Sequence, residues 1–591
     1  MWLLGMFVFS VFAAQLVRVQ AFDASAVQEA ALTKRLTSVA VPALRGSIVD
    51  SKGTVLAASI ERRTVSVNQD AVRSYTAVVD GKRVTVGAAG AAQRLAPLLG
   101  TTPEALAPQL TGTDPYRIIA KNVSPLVWRQ IAEMGIPGIH SETTFQREYP
   151  AGMTAASLVG VVVDDETPGA GIEVLADAQL SGTPGKQIYQ QARDGEVIPW
   201  AQEDEVPARD GSDVHLTIDA DLQWFAQNEI ANQVIKTQAQ SGYIVVQEVK
   251  TGKLRAVASY PSFDPTDVAN ARASLLQSQP FTDVYEPGST GKVMSYSAAL
   301  EEGVAEPTTG VIVPNRLGRS DRAFKDYADH PTLDLTVAGA LVKSSNIGTI
   351  LVAEQMPAAT IEKYFRAFGL GERSAIGFPG ESAGLLTPAD ELNGSQRYTM
   401  LFGQGYSLTA IQATGVFQTI ANGGVRVSPS LIEQTVAPDG AVAPAKPAES
   451  VRVISEETAT TMSRMLEQVT QPGGTATKAA IPGYRVAGKT GTANRFDDEV
   501  GGYHGYTVSF IGFAPAEDPR FVVSVTMHKP TVGPVSGGRL CGPVFASVMT
   551  YALQSYQVPP TGSAAPGFPL VSDEPLVPGA PGVISDRRSR G

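Results

Sequence analysis

The pattern of apolar and polar residues divides the first third of the chain into one apolar run and several short helical or extended segments. Residues 2–17 are mostly apolar and carry no charge, and residues 21–40 have a solvated helical pattern. A strand-turn-strand pattern spans residues 45–53. Two amphipathic helices are expected at residues 87–99 and 125–135. This mixture of short helices and strands predicts an α+β region.

From residue 202 onward the pattern changes to that of a larger sheet covered by helices. An acidic, polar stretch at residues 202–211 is predicted as a linker. β-Branched runs at residues 243–249 and 254–259 predict a hairpin, and helical patterns dominate residues 289–422. Residues 213–235 predict a strand followed by a helix. Three further strands are expected at residues 484–493, 506–515 and 521–528, and a closing helix at residues 542–556. A sheet with helices on both sides is the predicted layout.

The apolar run at residues 2–17 is shorter than the about 20 residues that a membrane-spanning helix needs. No Lys or Arg precedes it and Arg18 follows it, whereas a signal anchor carries positive charge on its cytoplasmic side. We interpret the run as an uncleaved anchor whose basic stub is missing from the assigned start. A cleaved signal peptide is the alternative, since the pair Ala13-Ala14 resembles a cleavage site. Both interpretations predict an exported chain.

Composition narrows the possible functions. A chain of 591 residues is too long for one core, so two or more domains are expected. The net charge of −11 argues against nucleic acid as a partner. The five His residues are scattered, and the single Cys541 excludes an intrachain disulfide and a thiolate metal cage. Residues 557–591 are rich in Pro, Gly, Ser and Ala, which predicts a disordered tail.

Candidate chemistry lies in three short strings that follow one another along the chain. They are Ser289-Thr290-Gly291-Lys292, Ser344-Ser345-Asn346 and Lys489-Thr490-Gly491-Thr492. They supply a nucleophile beside an amine, a hydroxyl beside an amide, and a cationic strand edge. Together these groups form the set that opens an amide bond through a serine ester.

The first string predicts an activated serine. Ser289 and Lys292 are three residues apart, so on a helix their side chains share one face. Lys292 accepts the hydroxyl proton only when it is neutral, which requires a pKa below its ordinary value of about 10.4. Burial lowers that pKa, as does a second cation such as Lys489. The helix N-terminus adds positive potential where an oxyanion forms.

The second and third strings each have a catalytic and a structural interpretation. The Ser344 hydroxyl would relay a proton to the leaving amine, and the Asn346 amide would hold Lys292 and the substrate backbone. Both residues could instead cap a helix. Lys489 would supply positive potential and the hydroxyls of Thr490 and Thr492 would bind a carboxylate, with the Thr492 and Ser289 N–H groups as an oxyanion hole. The alternative is a turn beside a hairpin.

Similar strings elsewhere in the chain do not fit the same order. Lys250-Thr251-Gly252 lies in the predicted hairpin turn, and Ser66-Val67-Asn68 precedes the nucleophile. Glu391-Leu392-Asn393 resembles the deacylating loop of class A β-lactamases, in which a glutamate activates water. If that loop were catalytic, the protein would be a hydrolase.

The chain resembles the class B penicillin-binding proteins, and most closely the septal transpeptidases of actinobacteria. The three strings carry the resemblance, and further strings support it outside the site: residues 45–50, 149–160 and 171–173 in the first half, and 263–265, 285–289, 368–371 and 403–405 in the second. The resemblance implies a multidomain fold with an α+β pedestal and an α/β transpeptidase domain of the serine β-lactamase type, an antiparallel sheet flanked by helices. The expected regions are an anchor at 1–20, a dimerisation-type pedestal at 21–205, a transpeptidase domain at 206–556 and the tail at 557–591.

The same resemblance implies a function. Ser289 would be acylated by the D-Ala-D-Ala end of a peptidoglycan stem peptide, D-Ala would leave, and an amine of a neighbouring stem would attack the ester. β-Lactams would acylate the same serine, and no metal or organic cofactor is implied. The implied partner is a polytopic membrane glycosyltransferase of the division machinery, with the catalytic domain on the extracytoplasmic side of the cell membrane.

Four alternatives stay open from the sequence. An elongation enzyme of the same class would have the same strings. A bifunctional class A enzyme would need a glycosyltransferase motif before Ser289, and none is evident. A D,D-carboxypeptidase or β-lactamase would use the same groups with water as acceptor. A division scaffold would hold partners without chemistry.

Overall fold

The computed structural model describes all residues except 1, 19, 21–35, 80, 164–166, 191–203, 498 and 587–591. It begins with the helix Trp2–Val17, whose side chains are exposed. Among the described residues, none of the helices combines the length and the apolar character needed to cross a membrane. The anchor therefore stays a prediction.

The first half is built on the long strand Val55–Val67. This strand pairs antiparallel with Arg117–Val123 and with Ile139–Glu148. Helices Gly87–Leu95 and Pro125–Glu133 pack on it and confirm the two predicted helices. The remaining helices of this half are Gln69–Val72, Pro103–Leu110, Ala156–Val159, Gly171–Leu175 and Asp177–Leu180, and the two-stranded ribbons are Thr76–Val79 with Lys82–Thr85 and Val162–Val163 with Thr167–Pro168.

Two predictions in this half are wrong. The described part of the predicted helix at residues 21–40 belongs to a strand, Leu36–Val41, because its Thr and Val residues favour extended backbone; residues 21–35 lie outside the description. The predicted linker contains the strand Asp204–Val206, which pairs with Gly185–Gln190, itself paired with Leu36–Val41. This stretch is extended despite its polar composition, because its backbone hydrogen-bonds to Gly185–Gln190.

One sheet joins the two halves of the chain. Its order is Val442–Pro444, Ile432–Val436, Asp213–Leu216, Ile48–Val49, Val55–Val67 and Arg117–Val123, and Ile139–Glu148 pairs with Val55–Val67. Asp213–Leu216 runs parallel to Ile48–Val49. The first strand after the linker is therefore hydrogen-bonded to the first half of the molecule.

The second half contains a five-stranded antiparallel sheet. The strand order is Leu254–Tyr260, Ser241–Glu248, Phe521–His528, Gly502–Ala514 and Ala487–Asp497. Helices Ala220–Thr237 and Gly542–Ser555 pack on one face. Ala410–Ala421, with Lys292–Glu301 and Glu456–Glu467 beside it, covers the other. The predicted sheet with helices on both sides is confirmed, and Ala487–Asp497 is its edge strand.

The region predicted as mainly helical, residues 289–422, also contains short strands. The helices include Val337–Val342, Asn346–Ala353 and Ala358–Ala367. The strands are Gly310–Val313, Leu317–Arg319, Arg322–Phe324 and Leu333–Thr336. Smaller elements complete this half: Gln279–Thr282, Gln396–Thr399 and Gly537–Leu540 are helical, and Val425–Val427 pairs with Ser450–Arg452.

The predicted disordered tail is wrong for residues 557–586. Val583–Ile584 forms a strand that runs parallel to Gly310–Val313. The Phe568 ring lies under the Arg464 guanidinium at 4.7 Å, and the Phe568 N–H donates to Gln468 Oε1 at 3.1 Å. A Pro- and Gly-rich composition did not prevent ordering, because backbone groups of this segment hydrogen-bond to the second half of the molecule. Residues 587–591 lie outside the description.

Candidate active site

The first string forms a tight turn at the start of a buried helix. Gly288–Thr290 makes a 3₁₀ turn, and the helix Lys292–Glu301 follows directly. Gly288 has φ +54°, and a Cβ there would lie 2.8 Å from the Thr492 carbonyl oxygen. Only glycine meets both demands without strain. The turn that presents Ser289 therefore lies directly against the edge strand Ala487–Asp497.

Ser344 connects the three strings in space. Lys489 Nζ donates to Ser344 Oγ at 2.9 Å, and Lys292 Nζ donates to the Ser344 carbonyl oxygen at 2.5 Å. Ser344 has φ +62°, an uncommon conformation for a residue with a side chain. Strained backbone of this kind clusters at functional sites. The structure thus brings together one residue from each string, with both lysines donating to Ser344.

Both lysines are fully buried, and this sets their protonation. Burial lowers the pKa of Lys292 to about 7, although the Asp326 carboxylate partly opposes the shift. Burial and the nearby charge of Lys292 lower the pKa of Lys489 well below its ordinary value. The sequence-based expectation of a depressed Lys292 pKa agrees with this direction. The sequence-based expectation also assigned Lys489 a positive charge, but burial lowers the pKa of Lys489 and disfavours the charged form.

Ser345 and Asn346 begin the helix Asn346–Ala353. Ser345 Oγ accepts from the Gly348 N–H at 2.8 Å and is the N-cap. The Asn346 side-chain amide donates to the Lys325 carbonyl oxygen at 3.1 Å. Capping and the lysine contacts therefore belong to adjacent residues of one string, Ser345 and Ser344. The capping alternative named Ser344 and Asn346, and it is wrong for both, because the N-cap is Ser345.

Sequence reasoning missed Asp326, which anchors this string. Its carboxylate accepts from Ser345 Oγ at 2.6 Å, from the Asn346 N–H at 2.6 Å and from the Ile347 N–H at 3.0 Å. His330 Nε2 lies 3.1 Å from the same carboxylate. A negative charge at a helix N-terminus is stabilising. No spacing rule connects residue 326 with residue 346, so the sequence carried no signal for this contact.

The third string lies on the edge strand, where Lys489, Thr490 and Gly491 are buried and Thr492 is partly exposed. Lys489 pairs with Ile511 and Thr492 pairs with Val508 in the neighbouring strand. The Thr490 and Thr475 hydroxyl oxygens are 3.2 Å apart, and Thr492 Oγ1 donates to the Gly491 carbonyl oxygen at 2.9 Å. The prediction of a strand edge at this string is confirmed, and the hairpin-turn alternative is wrong for it.

A cavity of about 900 Å³ opens between these elements. Its lining includes residues of all three strings: Ser289, Ser344, Ser345, Asn346, Thr490 and Thr492. Asp326 and His330 lie on the same wall, and Arg539 and Val571 on others. Lys292 and Lys489 are buried behind the Ser344 wall. The cavity has the size expected for a small-molecule or peptide site.

The approach to Ser289 is held by a second carboxylate, that of the partly buried Glu286. Glu286 Oε1 accepts from the Gly405 N–H at 2.9 Å and from the Tyr503 hydroxyl at 2.9 Å. Burial raises the pKa of Glu286, partly offset by these hydrogen bonds. The contact joins residues 285–289 to residues 403–405, two strings that were separate in the sequence. It fixes the turn that carries the serine.

The similar strings lie elsewhere in the structure. Lys250-Thr251-Gly252 is the turn between Ser241–Glu248 and Leu254–Tyr260, as predicted. Asn68 caps the short helix Gln69–Val72 in the first half. Glu391 is exposed and lies outside the set of described residues that line the cavity. This position gives no support to a water-activating role for Glu391.

The comparisons with known proteins define the class of protein. The penicillin binding protein transpeptidase domain matches residues 242–550, and the penicillin-binding protein dimerisation domain matches residues 40–216. The chain belongs to the class B penicillin-binding proteins, so the family predicted from the three strings is confirmed.

Particular relatives cover nearly the whole chain. A penicillin-binding protein PbpB of Mycolicibacterium smegmatis is 35% identical over 92% of this chain and 87% of its own length. The peptidoglycan D,D-transpeptidase FtsI of Escherichia coli is 32% identical over 87% of this chain and 84% of its own.

Solved structures agree in fold. A peptidoglycan synthetase from Bifidobacterium adolescentis matches with a TM-score of 0.75 and 31% identity, over 91% of this chain and 100% of that one. Penicillin binding protein 3 from Mycobacterium tuberculosis, complexed with aztreonam, matches with a TM-score of 0.69 and 29% identity, over 90% and 100%. The two-domain architecture is therefore that of the family.

Proposed function

We propose that this protein is a peptidoglycan D,D-transpeptidase of septal cell-wall synthesis that works through an acyl-enzyme on Ser289. The observation that carries the proposal is the Ser344 residue contacted by two buried lysines beside the Ser289 turn. A relative that is 32% identical to this chain over 522 residues is named peptidoglycan D,D-transpeptidase. The septal assignment rests on relatives of the FtsI and PbpB type, which favour it over an elongation enzyme.

In the acylation step, neutral Lys292 accepts the proton of Ser289 Oγ as the oxygen attacks the carbonyl carbon of the penultimate D-Ala. The N–H groups of Ser289 and Thr492 stabilise the oxyanion. The C–N bond then breaks, and the Ser344 hydroxyl passes a proton to the departing D-Ala amine. The proton that Lys292 took from Ser289 then passes through Lys489 to the Ser344 oxygen, so Lys292 becomes neutral again.

In the second step, an amine from a neighbouring stem peptide attacks the ester carbonyl. A C–N bond forms, the C–O bond to Ser289 breaks, and the amine proton returns to Ser289 Oγ through the same lysine. Lys292 therefore accepts a proton and then gives it up in each of the two steps. A pKa of about 7 suits both directions, because neither protonation state is strongly favoured at neutral pH.

Substrate binding falls to the edge strand and the helix start. The Thr490 and Thr492 hydroxyls bind the terminal carboxylate of the stem peptide, and Lys489 supplies a hydrogen bond to Ser344. Gly491 lets the serine turn approach the strand, because a Cβ there would lie 2.8 Å from the Pro287 carbonyl oxygen. The Asn346 side chain, held at the rim by Lys325, orients the substrate backbone. β-Lactams, which carry a carboxylate next to a strained amide, occupy the same groups. No cofactor takes part in these steps.

The cellular setting completes the proposal. The helix Trp2–Val17 belongs to a single-pass membrane anchor, with the catalytic domain on the extracytoplasmic side. The first half of the chain contacts a polytopic membrane glycosyltransferase of the division machinery. The proposal keeps the regions expected from the sequence: an anchor at residues 1–20, a pedestal at 21–205 and a transpeptidase domain at 206–556.

Two experiments test the proposal. The full chain is incubated with a fluorescent penicillin and its intact mass is measured for wild type and Ser289→Ala. We expect one stable adduct that is absent from the variant; an adduct that persists in Ser289→Ala would overturn the assignment. Lys489→Met should slow labelling at least tenfold, whereas the matched Lys250→Met, in the hairpin turn, should not.

The products distinguish a transpeptidase from a hydrolase. A stem pentapeptide ending in D-Ala-D-Ala is incubated with the protein and an amine acceptor, and the products are identified by mass spectrometry. A cross-linked dimer is expected. Shortened peptide without dimer would mean that water is the acceptor and would replace this function with a carboxypeptidase. A scaffold without chemistry would form neither product.

A further inference from the structure

The C-terminal strap, residues 568–584, is bound along the strand Leu333–Thr336 and the helix Val337–Val342. Thr336 Oγ1 donates to the Pro569 carbonyl oxygen at 2.6 Å, and the Thr336 N–H donates to the Leu570 carbonyl oxygen at 3.2 Å. Asp334 accepts from the N–H groups of Ser572 and Leu576. These bonds use the edge of Leu333–Thr336 opposite to the one paired with Gly310–Val313, in a stretch that leads into Ser344.

The underlying helix is shaped to receive the strap. A Cβ on Gly339 would lie 1.8 Å from the Leu570 carbonyl oxygen, so only glycine permits this approach. Farther along, Leu576 packs over Gly310, and Val583–Ile584 pairs with Gly310–Val313. The Leu570 carbonyl group lies so close to Gly339 that no water fits between them. The strap is therefore a fixed part of the second half of the molecule, although it lies beyond residue 550, where the matched transpeptidase domain ends.

This docking places Val571 on the cavity wall. Val571 forms a bridge with Leu335, and Leu333, Leu335 and Val571 all line the cavity. Leu335 is buried, whereas Val571 keeps 54% of its surface exposed. An apolar side chain held rigidly and exposed inside a binding cavity gains free energy when a ligand covers it. The same cavity has its hydroxyl and amide groups at Ser289, Asn346 and Thr490.

We propose that Val571 is a specificity-determining residue that contacts an aliphatic side chain of the stem peptide. The inference rests on the proposed function, because it assigns a subsite within the same cavity. The polar groups of the cavity hold the peptide backbone and the carboxylate, and the Val571 wall covers the side chain that precedes them. The strap thus contributes to substrate choice and takes no part in proton transfer.

The test compares two β-lactams on the full chain purified in detergent. One is a penicillin with an apolar acyl side chain, which imitates the preceding part of the peptide. The other is 6-aminopenicillanic acid, which has the same ring system without that side chain. The second-order rate constant of acylation is measured by intact mass for wild type, Val571→Ser and the matched control Val577→Ser. Val577 is an exposed valine of the same strap that lies outside the described cavity lining.

We expect Val571→Ser to slow acylation by the penicillin about 5-fold, the effect of losing about 1 kcal/mol of apolar contact. Acylation by 6-aminopenicillanic acid should change less than about 2-fold, and Val577→Ser should resemble wild type with both compounds. Equal slowing with both compounds would indicate a structural role, and no slowing would indicate no contact; either result overturns the inference. Failure of wild type to be acylated would instead refute the proposed function.

Discussion

At the scale of single residues, the decisive feature is a buried amine, that of Lys292, which has no hydrogen-bonded carboxylate among the described residues. Lys292 Nζ donates to an uncharged carbonyl oxygen, and the Asp326 carboxylate acts on it only through its charge, without a hydrogen bond. Desolvation therefore dominates and favours the neutral amine. An ordinary lysine cannot accept a proton at neutral pH, whereas this one can.

The depressed pKa of Lys292 predicts how acylation depends on pH. The reactive form is the neutral amine, whose fraction rises from about one tenth at pH 6 to about nine tenths at pH 8 for a pKa of about 7. The rate of labelling by a fluorescent penicillin should rise about tenfold over this interval and then level off. Circular dichroism across the same range checks that the fold persists. A flat or falling profile would contradict the role of Lys292 as base.

At the scale of elements, the start of the helix Asn346–Ala353 carries the second string, and Asp326 determines its position. The carboxylate binds two backbone N–H groups and one hydroxyl there. Asp326 also raises the pKa of Lys292 through its charge. One side chain outside the three strings therefore influences both the geometry and the protonation of the site.

Asp326→Asn should change both properties. Loss of the charged cap is expected to lower the free energy of unfolding by about 2 kcal/mol, measured by urea denaturation. Removal of the negative charge should lower the pKa of Lys292 further, so the midpoint of the acylation profile should move to lower pH. Asp329→Asn is the control, because Asp329 lines the same cavity but is exposed and paired with Arg316. A midpoint that moves equally in both variants would argue against a specific effect of Asp326.

The elements also show what the sequence could predict. The five-stranded sheet and the serine helix were predictable, because strand and helix periodicities are local and the Ser289–Lys292 spacing is helical. Asp326 was not, because it reaches the site from a loop after the short strand Arg322–Phe324, in a region whose pattern is mainly helical. The C-terminal strap was predicted as disordered from its Pro, Gly, Ser and Ala content, whereas the contacts that order it use backbone groups, as at Thr336 and Leu570. Hydrophobic periodicity does not report such contacts.

At the scale of the whole molecule, a shared sheet joins the two halves, and a buried charge cluster of the first half lies beside the junction. Glu173 accepts from Arg45 Nε at 2.8 Å and from Arg147 Nε at 2.7 Å, and all three side chains are buried. Arg45 immediately precedes Gly46, which contacts the Ser212 carbonyl oxygen so closely that a Cβ would lie 2.0 Å away. The cluster therefore supports the point where the first half meets the strand Asp213–Leu216.

Glu173→Gln should destabilise the molecule as a unit. The substitution removes the carboxylate paired with Arg147 and one of the two carboxylates paired with Arg45, which keeps Asp177 at 2.6 Å. Breaking buried pairs in this way costs about 3 kcal/mol. Because Ile48–Val49 and Asp213–Leu216 share one sheet, the loss should reach the catalytic half. In urea, we expect the midpoint of unfolding by circular dichroism and the midpoint of penicillin labelling to fall together.

Glu148→Gln is the matched control for that shift. Glu148 pairs with Arg62 at 3.0 Å but keeps 45% of its side chain exposed, and exposed ion pairs contribute about 0–1 kcal/mol. If the two variants unfold at the same urea concentration, the buried cluster does not stabilise the fold. If Glu173→Gln lowers only the circular dichroism midpoint and leaves the labelling midpoint unchanged, the two halves unfold independently, and the shared sheet does not couple the pedestal to the site.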